Sequence, residues 1–183
     1  MSDGVDLDVV ARRLLWSLPT GLFVLGSAGT SDAGPWNLMT INQVVQVSTA
    51  PRVVVLGIER GSMTASLLDE SSAAALSLLR RRDAAIVRRF VRPVSEMTLD
   101  KEGRPSSMAG HEVELLANSA PVLKVAVGWL ELRVVDQRRF DSHVAYFAEV
   151  AKAAAEPELL EGPASARGVE ILRMEDTKMN YGG

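Results

Sequence analysis

The sequence predicts a mainly β domain, an antiparallel barrel closed or half closed, with a few helices plugging or flanking it. Three observations point there. Six or seven short runs rich in Val, Ile, Leu or Ala are separated by turn residues. Few stretches carry helical spacing. A chain of 183 residues, 47% of them apolar, is long enough to bury one core, so residues 1–183 are read as a single domain.

The elements follow in order. Residues 6–17 place Leu7, Val10, Ala11, Leu14 and Leu15 on helical spacing, with Asp6 at the N-cap. Pro19-Thr20-Gly21 stops that helix. Residues 22–27 read as the first strand and residues 29–35 as a loop. Asn37 to Thr40 is a short polar lead-in to two β-rich runs, 41–48 and 52–58, joined by a turn at Pro51. Residues 59–64 form a polar turn around Gly61, and Ser62 caps a short helix over 63–69. Residues 73–79 read as a buried strand. Residues 83–91 read as an amphipathic helix, with Ile86, Val87 and Phe90 on one face and Pro93 as its stop. The polar stretch 95–110, with Gly103, Pro105 and Gly110, is the longest loop. Residues 122–127, 129–135 and 143–150 give three more strands, with Gly128 as a bulge or bend. Residues 151–163 read as a linker, and the tail 164–183 carries one apolar patch from Val169 to Met174.

Composition excludes several classes. A net charge of −3 and a pI near 5.5 argue against nucleic-acid binding through bulk positive charge. The absence of cysteine excludes disulfides, thiolate catalysis and Cys-ligated metals. The acidic N-terminus is not a signal peptide, and no apolar run approaches the ~18 residues that span a bilayer. The expectation is a cytoplasmic protein.

Residues 37–64 carry most of the chemistry. Asn, Thr, Ser and Gly sit at both ends of a strand pair, which suits a flat polar ligand with a phosphate. Asn37, Met39, Thr40 and Asn42 form one group. Ser48, Arg60, Ser62 and Thr64 form another, at a turn leading into a helix N-terminus. Asn and Thr are also common at loop–strand junctions, and Ser62 also serves as a helix cap. Arg80, Arg81, Arg82, Arg88, Arg89 and Arg92 read first as a solvated helix face. The methionines read as packing filler. No P-loop, dinucleotide fingerprint, Ser/His/Asp triad or carboxylate pair is present.

The same stretch resembles the flavin reductase-like, FMN-binding split-barrel family. The matching pieces are Leu38-Met39-Thr40, Val47-Ser48, Pro51, Val53-Val54-Val55 and Ser62-Met63-Thr64. Their order and spacing carry the resemblance, which continues through 73–79, 84–93, 129–135 and 143–150. The ending Asn180-Tyr181-Gly182-Gly183 looks like the tail of one branch.

The resemblance implies an antiparallel split barrel that transfers a hydride from NADH or NADPH to FMN or FAD. It implies a homodimer with flavin near the interface and a possible partner monooxygenase. Flavin contacts fall on Asn37, Met39, Thr40, Asn42, Gln46, Ser48, Arg60, Ser62, Thr64 and Ser77. Ser77 stands where the family often has Asn. His143 would face the flavin or the nicotinamide, and the patch Val169 to Met174 would cross to the second subunit. The flavin carries the chemistry, so no catalytic side chain and no metal are expected. The alternatives are a non-enzymatic FMN-binding protein, serving as electron carrier or redox sensor, and a split barrel that holds haem through its two histidines.

Overall fold

The computed structural model describes residues 7–31, 33–161, 168–177 and 179. The N-cap expected at Asp6, the ending 180–183 and residues 164–167 and 178 of the tail lie outside the described residues.

Helix α1 (Leu7–Trp16) forms as its spacing predicts, yet none of its residues is buried. Strands β1 (Phe23–Ser31) and β2 (Gly34–Ile41) make a hairpin where a loop was expected. Gly34 at its turn has φ +97°, which glycine adopts without strain. Asn37 to Thr40 is therefore the middle of β2 rather than a lead-in. The strand is covered on both faces, so it lacks the polar–apolar alternation that marks a half-exposed strand.

Strands β3 (Val44–Thr49) and β4 (Arg52–Glu59) follow as the predicted pair. Helix α2 (Met63–Ser71) begins at Ser62, whose Oγ accepts from the Ala65 amide at 3.2 Å. Strand β5 (Ala73–Leu78) is buried as expected. The expected helix over 83–91 is instead two 3₁₀ turns, Arg81–Asp83 and Ile86–Phe90. Its apolar face is right: Val87 and Phe90 are fully buried. Its pitch is not, because Thr40 Oγ1 donates to the Val87 carbonyl at 2.6 Å. An α-helix would point that carbonyl at the amide of residue 91.

The expected loop 95–110 contains two strands, β6 (Met97–Leu99) and β7 (Pro105–Met108). With β8 (His111–Leu115) and β9 (Pro121–Leu123) they form a four-stranded sheet in the order β6-β7-β8-β9. Strand β9 replaces the expected strand over 122–127. Strand β10 (Gly128–Arg139) starts at Gly128, so that glycine is no mid-run bulge. Strand β11 (His143–Ala155) runs through the alanines read as a linker. Those alanines pair with β10, Gly128 against Ala155 and Trp129 against Ala154. A short helix, α3 (Pro157–Leu160), follows.

The main sheet has seven strands in the order β2-β1-β5-β10-β11-β4-β3, with every neighbouring pair antiparallel. Its two edge strands are consecutive in sequence. Only Asn42 and Gln43 separate the end of β2 from the start of β3. Ile41 and Val44 therefore stand at most about 11 Å apart. A seven-stranded sheet whose opposite edges are held that close must curl on itself, and the split lies at this joint.

One core fills the curl: Leu25, Ile41, Leu56, Ile58, Leu76, Leu132 and Tyr146, with Leu68 of α2 closing it. Tyr146 Oη donates to Asp69 Oδ1 (2.9 Å), which burial and Asp69 together reflect in a raised phenol pKa. A second core lies between β1–β2 and the small sheet, built on Leu22, Trp36, Leu38, Val87, Phe90 and Met108.

The apolar patch of the tail belongs to this second core. Leu172 is 0% exposed, its amide donates to Leu79 O (2.9 Å), and its carbonyl accepts from Leu22 N (3.1 Å). The expectation that Val169 to Met174 crosses to a neighbour is corrected. The patch packs on its own chain because the Leu22 and Leu79 backbones offer it an unpaired edge. Among the described residues, no helix is long and apolar enough to cross a membrane.

Candidate functional site

The split opens into a groove of about 370 Å³, within the range of small-molecule pockets. Strand alternation builds its floor. Val54, Leu56 and Ile58 of β4, and Val144 and Tyr146 of β11, point into the core. Val55, Gly57 and Ala145 must then face outward, and they line the groove. Asn42, Gln43, Val44 and Val45 form one wall. Phe140 and His143 form the other, at the turn between β10 and β11, and Thr20 closes one end. The lining is mainly apolar with a polar rim. It can hold a flat heteroaromatic ring by its faces and present hydrogen-bonding groups to its edge.

Two of the residues singled out in the sequence meet in this groove, Asn42 and His143. His143 Nδ1 lies 3.0 Å from Ser142 Oγ. Arg60 reaches the same turn: its Nη1 donates to the carbonyls of Phe140 and Asp141, both at 3.3 Å, and its amide donates to Ser142 O at 2.9 Å. Arg60 thus ties the turn after β4 to the turn that carries His143.

The others are placed elsewhere. Asn37 is 2% exposed, and both ends of its amide are engaged, Nδ2 to Thr64 Oγ1 and Oδ1 from Val94 N, each at 3.0 Å. Thr64 is 1% exposed, so its hydroxyl faces Asn37 and not solvent. Thr40 is buried against Val87. Ser77 is 0% exposed and its Oγ accepts from Leu123 N at 3.1 Å, anchoring β9. Met39 packs against the barrel core. Ser62 is half-buried at its cap. Gln46 and Ser48 lie toward the far end of β3, Ser48 about 13 Å along the strand from Val44. The Gln46 side chain donates to the Ser48 carbonyl at 3.0 Å.

Sequence reasoning missed Thr20, Gln43, Gly57 and Phe140. Gly57 carried a usable signal, since a glycine inside a Val-rich strand often marks a close approach. The arginine cluster is also more than a solvated face. Arg80 pairs with Glu156 and with Glu158 (3.1 Å), and Arg81 with Glu170 (3.0 Å) and Asp176 (2.6 Å). These pairs hold the tail and α3 to the body. The two histidines sit apart: His111 of β8 packs its ring 5.8 Å from that of Phe90. No group of three or more His, Cys, Asp or Glu able to hold a metal occurs among the described residues.

With this geometry in place, comparison with known proteins defines the class. The model of the flavin reductase like domain matches residues 15–168. The chain belongs to that family and is a flavin-dependent oxidoreductase of mainly antiparallel β architecture. Solved structures share the fold. An NADH:FAD oxidoreductase of Streptomyces globisporus, in complex with NAD and FAD fragments, is 23% identical over 85% of this chain and 88% of its own, with a TM-score of 0.66. The styrene monooxygenase flavin reductase of Pseudomonas putida is 22% identical over 79% and 86%, with a TM-score of 0.60. An FMN-binding protein of Thermus thermophilus is 19% identical over 80% and 78%, with a TM-score of 0.64. No curated protein sequence matches the chain.

Proposed function

We propose that this protein is an NAD(P)H:flavin reductase that takes FMN or FAD in the groove at the barrel split. The observation that carries the reading is the groove itself: a bare, apolar floor at Val55, Gly57 and Ala145 beneath a polar rim of Asn42, Gln43 and His143. These residues would hold a flavin, which when bound would supply the chemistry of hydride acceptance from NADH or NADPH.

The chain's own residues do the rest. The floor supports one face of the ring and keeps water from it. Asn42 adds a polar group at the rim of the groove. His143 orients the hydride donor through its carboxamide or a phosphate, without taking part in the hydride step. Arg60 holds the turn that carries His143 and adds positive charge beside it. Asn37, Thr40, Thr64 and Ser77 act from behind, by fixing β2, α2 and β9. Ser62 fixes the start of α2 and Met39 packs in the core behind β2. Gln46 and Ser48 lie farther along β3 from the groove and would touch only a ligand that extends along that strand.

The groove is open on the outer face of β3 and β4, where Val45 is 58% and Val47 52% exposed. A second copy of the chain covers this face and completes the enclosure. An open groove of this kind would let a reduced flavin pass on to a partner monooxygenase. The sequence supports a single domain working in the cytoplasm.

The test is nicotinamide oxidation followed by absorbance, with NADH or NADPH and with or without added FMN or FAD. Turnover that depends on added flavin supports a reductase with a diffusible product. Tight flavin binding with no oxidation of either nicotinamide would turn the reading to an FMN-binding carrier, a class represented among proteins of this fold.

A further inference from the structure

Gln43 sits at the two-residue joint between β2 and β3, and its side chain lies over bare backbone. Gly57 faces it from β4. A Cβ built on Gly57 would stand 2.1 Å from Gln43 Oε1 and 2.9 Å from Gln43 Cβ. The Gly57 amide donates to the Gln43 carbonyl at 2.9 Å, so the two backbones are tied together, and the solvent-exposed Gln43 side chain lies against Gly57. Both residues line the groove. Among the described residues the exposed Gln43 side chain makes no hydrogen bond within the chain, so its donor and its acceptor are open to solvent or to a ligand. Around it, Val44, Val45, Val55 and Ala145 contribute no polar side-chain atom to the lining.

An amide lying on a glycine, at the border of the apolar stretch Val44, Val45, Val55 and Ala145, has a definite complement. It is another amide-like edge, with a carbonyl and an N–H side by side, because two parallel hydrogen bonds then form at once. We propose that Gln43, seated on Gly57, is a specificity-determining residue that pairs with such an edge on the ring bound in the groove. The inference rests on the groove being the flavin site. Two bound groups carry that edge: the pyrimidine ring of the flavin and the carboxamide of the nicotinamide. Gly57 matters through Gln43, since any side chain at Gly57 displaces the amide from its seat.

The experiment compares FMN with an FMN analogue methylated on the ring nitrogen between its two carbonyls, which removes the N–H of the edge. Binding is read by quenching of flavin fluorescence in the wild type, Gln43→Ala, Gly57→Ala and the double variant, and KM for NADH and NADPH is measured in parallel. The wild type is expected to prefer FMN over the analogue by about five- to tenfold, a gap the size of one or two net hydrogen bonds. Gln43→Ala should erase that preference while leaving analogue binding unchanged. Gly57→Ala should do the same, and the double variant should be no weaker than Gln43→Ala alone. Loss confined to the nicotinamide KM would assign the pairing to the carboxamide, with the same chemistry. Wild-type preference retained in Gln43→Ala, with KM unchanged, would overturn the inference while flavin binding stands. A wild type that binds no flavin would remove the proposed function and this inference with it.

Discussion

Asn37 Nδ2 donates to Thr64 Oγ1 across 3.0 Å, with both residues almost wholly excluded from solvent. This bond joins β2 to the first turn of α2, and the other end of the Asn37 amide holds Val94 N. Removing the hydroxyl leaves a buried donor without a partner. Thr64→Val should therefore cost about 1–3 kcal/mol of stability, measured by urea denaturation. FMN and riboflavin affinities should fall together by a small common factor. A loss confined to FMN would instead put the Thr64 hydroxyl on the phosphate.

The tail is a structural strap of its own subunit. Leu172→Ala opens a cavity between Leu22 and Leu79 and should cost about 2–5 kcal/mol. Its sedimentation at micromolar concentration should match the wild type. A change of stability within about 0.5 kcal/mol, the range of surface substitutions, would show that Leu172 is not packed as described.

The proposed dimer would cover the exposed valines of β3. Val45→Glu and Val47→Glu each place a charge on a surface that a second copy would desolvate. Each should shift the protein toward monomer in sedimentation and weaken flavin binding at the same time. An unchanged dimer in both variants would move the interface elsewhere.

His143→Ala addresses the hydride donor. The KM for NADH or NADPH should rise more than kcat falls, the signature of lost binding shared by ground and transition states. Flavin affinity should stay nearly constant. Kinetics equal to wild type would leave His143 as a strand-edge residue paired only with Ser142.

Much of this architecture was legible in the sequence, and the failures have physical causes. Strand runs around Val53-Val54-Val55 and residues 143–150 were found because β-branched and aromatic residues mark them. The boundary between β2 and β3 was missed because Ile41, Val44 and Val45 read as one run, and Asn42-Gln43 is not a turn signal. The alanines of β11 were read as a linker because alanine has little strand preference. They pair as strand because Gly128 and Trp129 lie opposite them in β10, a non-local fact. At the site, Asn42 and His143 were reached through the family resemblance, and both are half-buried polar residues at strand ends. Asn37, Thr64 and Ser77 looked like ligand contacts because a polar residue in a strand looks the same whether its partner is a ligand or another buried side chain. Gln43 carried no signal, and Gly57 showed only as a glycine in a Val-rich strand, because register, not sequence, brings the two together.

The central claim is that the groove at the split binds flavin, and a titration of FMN and FAD into the purified protein tests it most directly. The account predicts saturable quenching of flavin fluorescence at one flavin per chain. It also predicts that Gly57→Leu, which fills the groove floor, abolishes this quenching while the protein keeps its wild-type far-UV circular dichroism. Absence of quenching by either flavin at high micromolar concentration, or undiminished binding in Gly57→Leu, would contradict it.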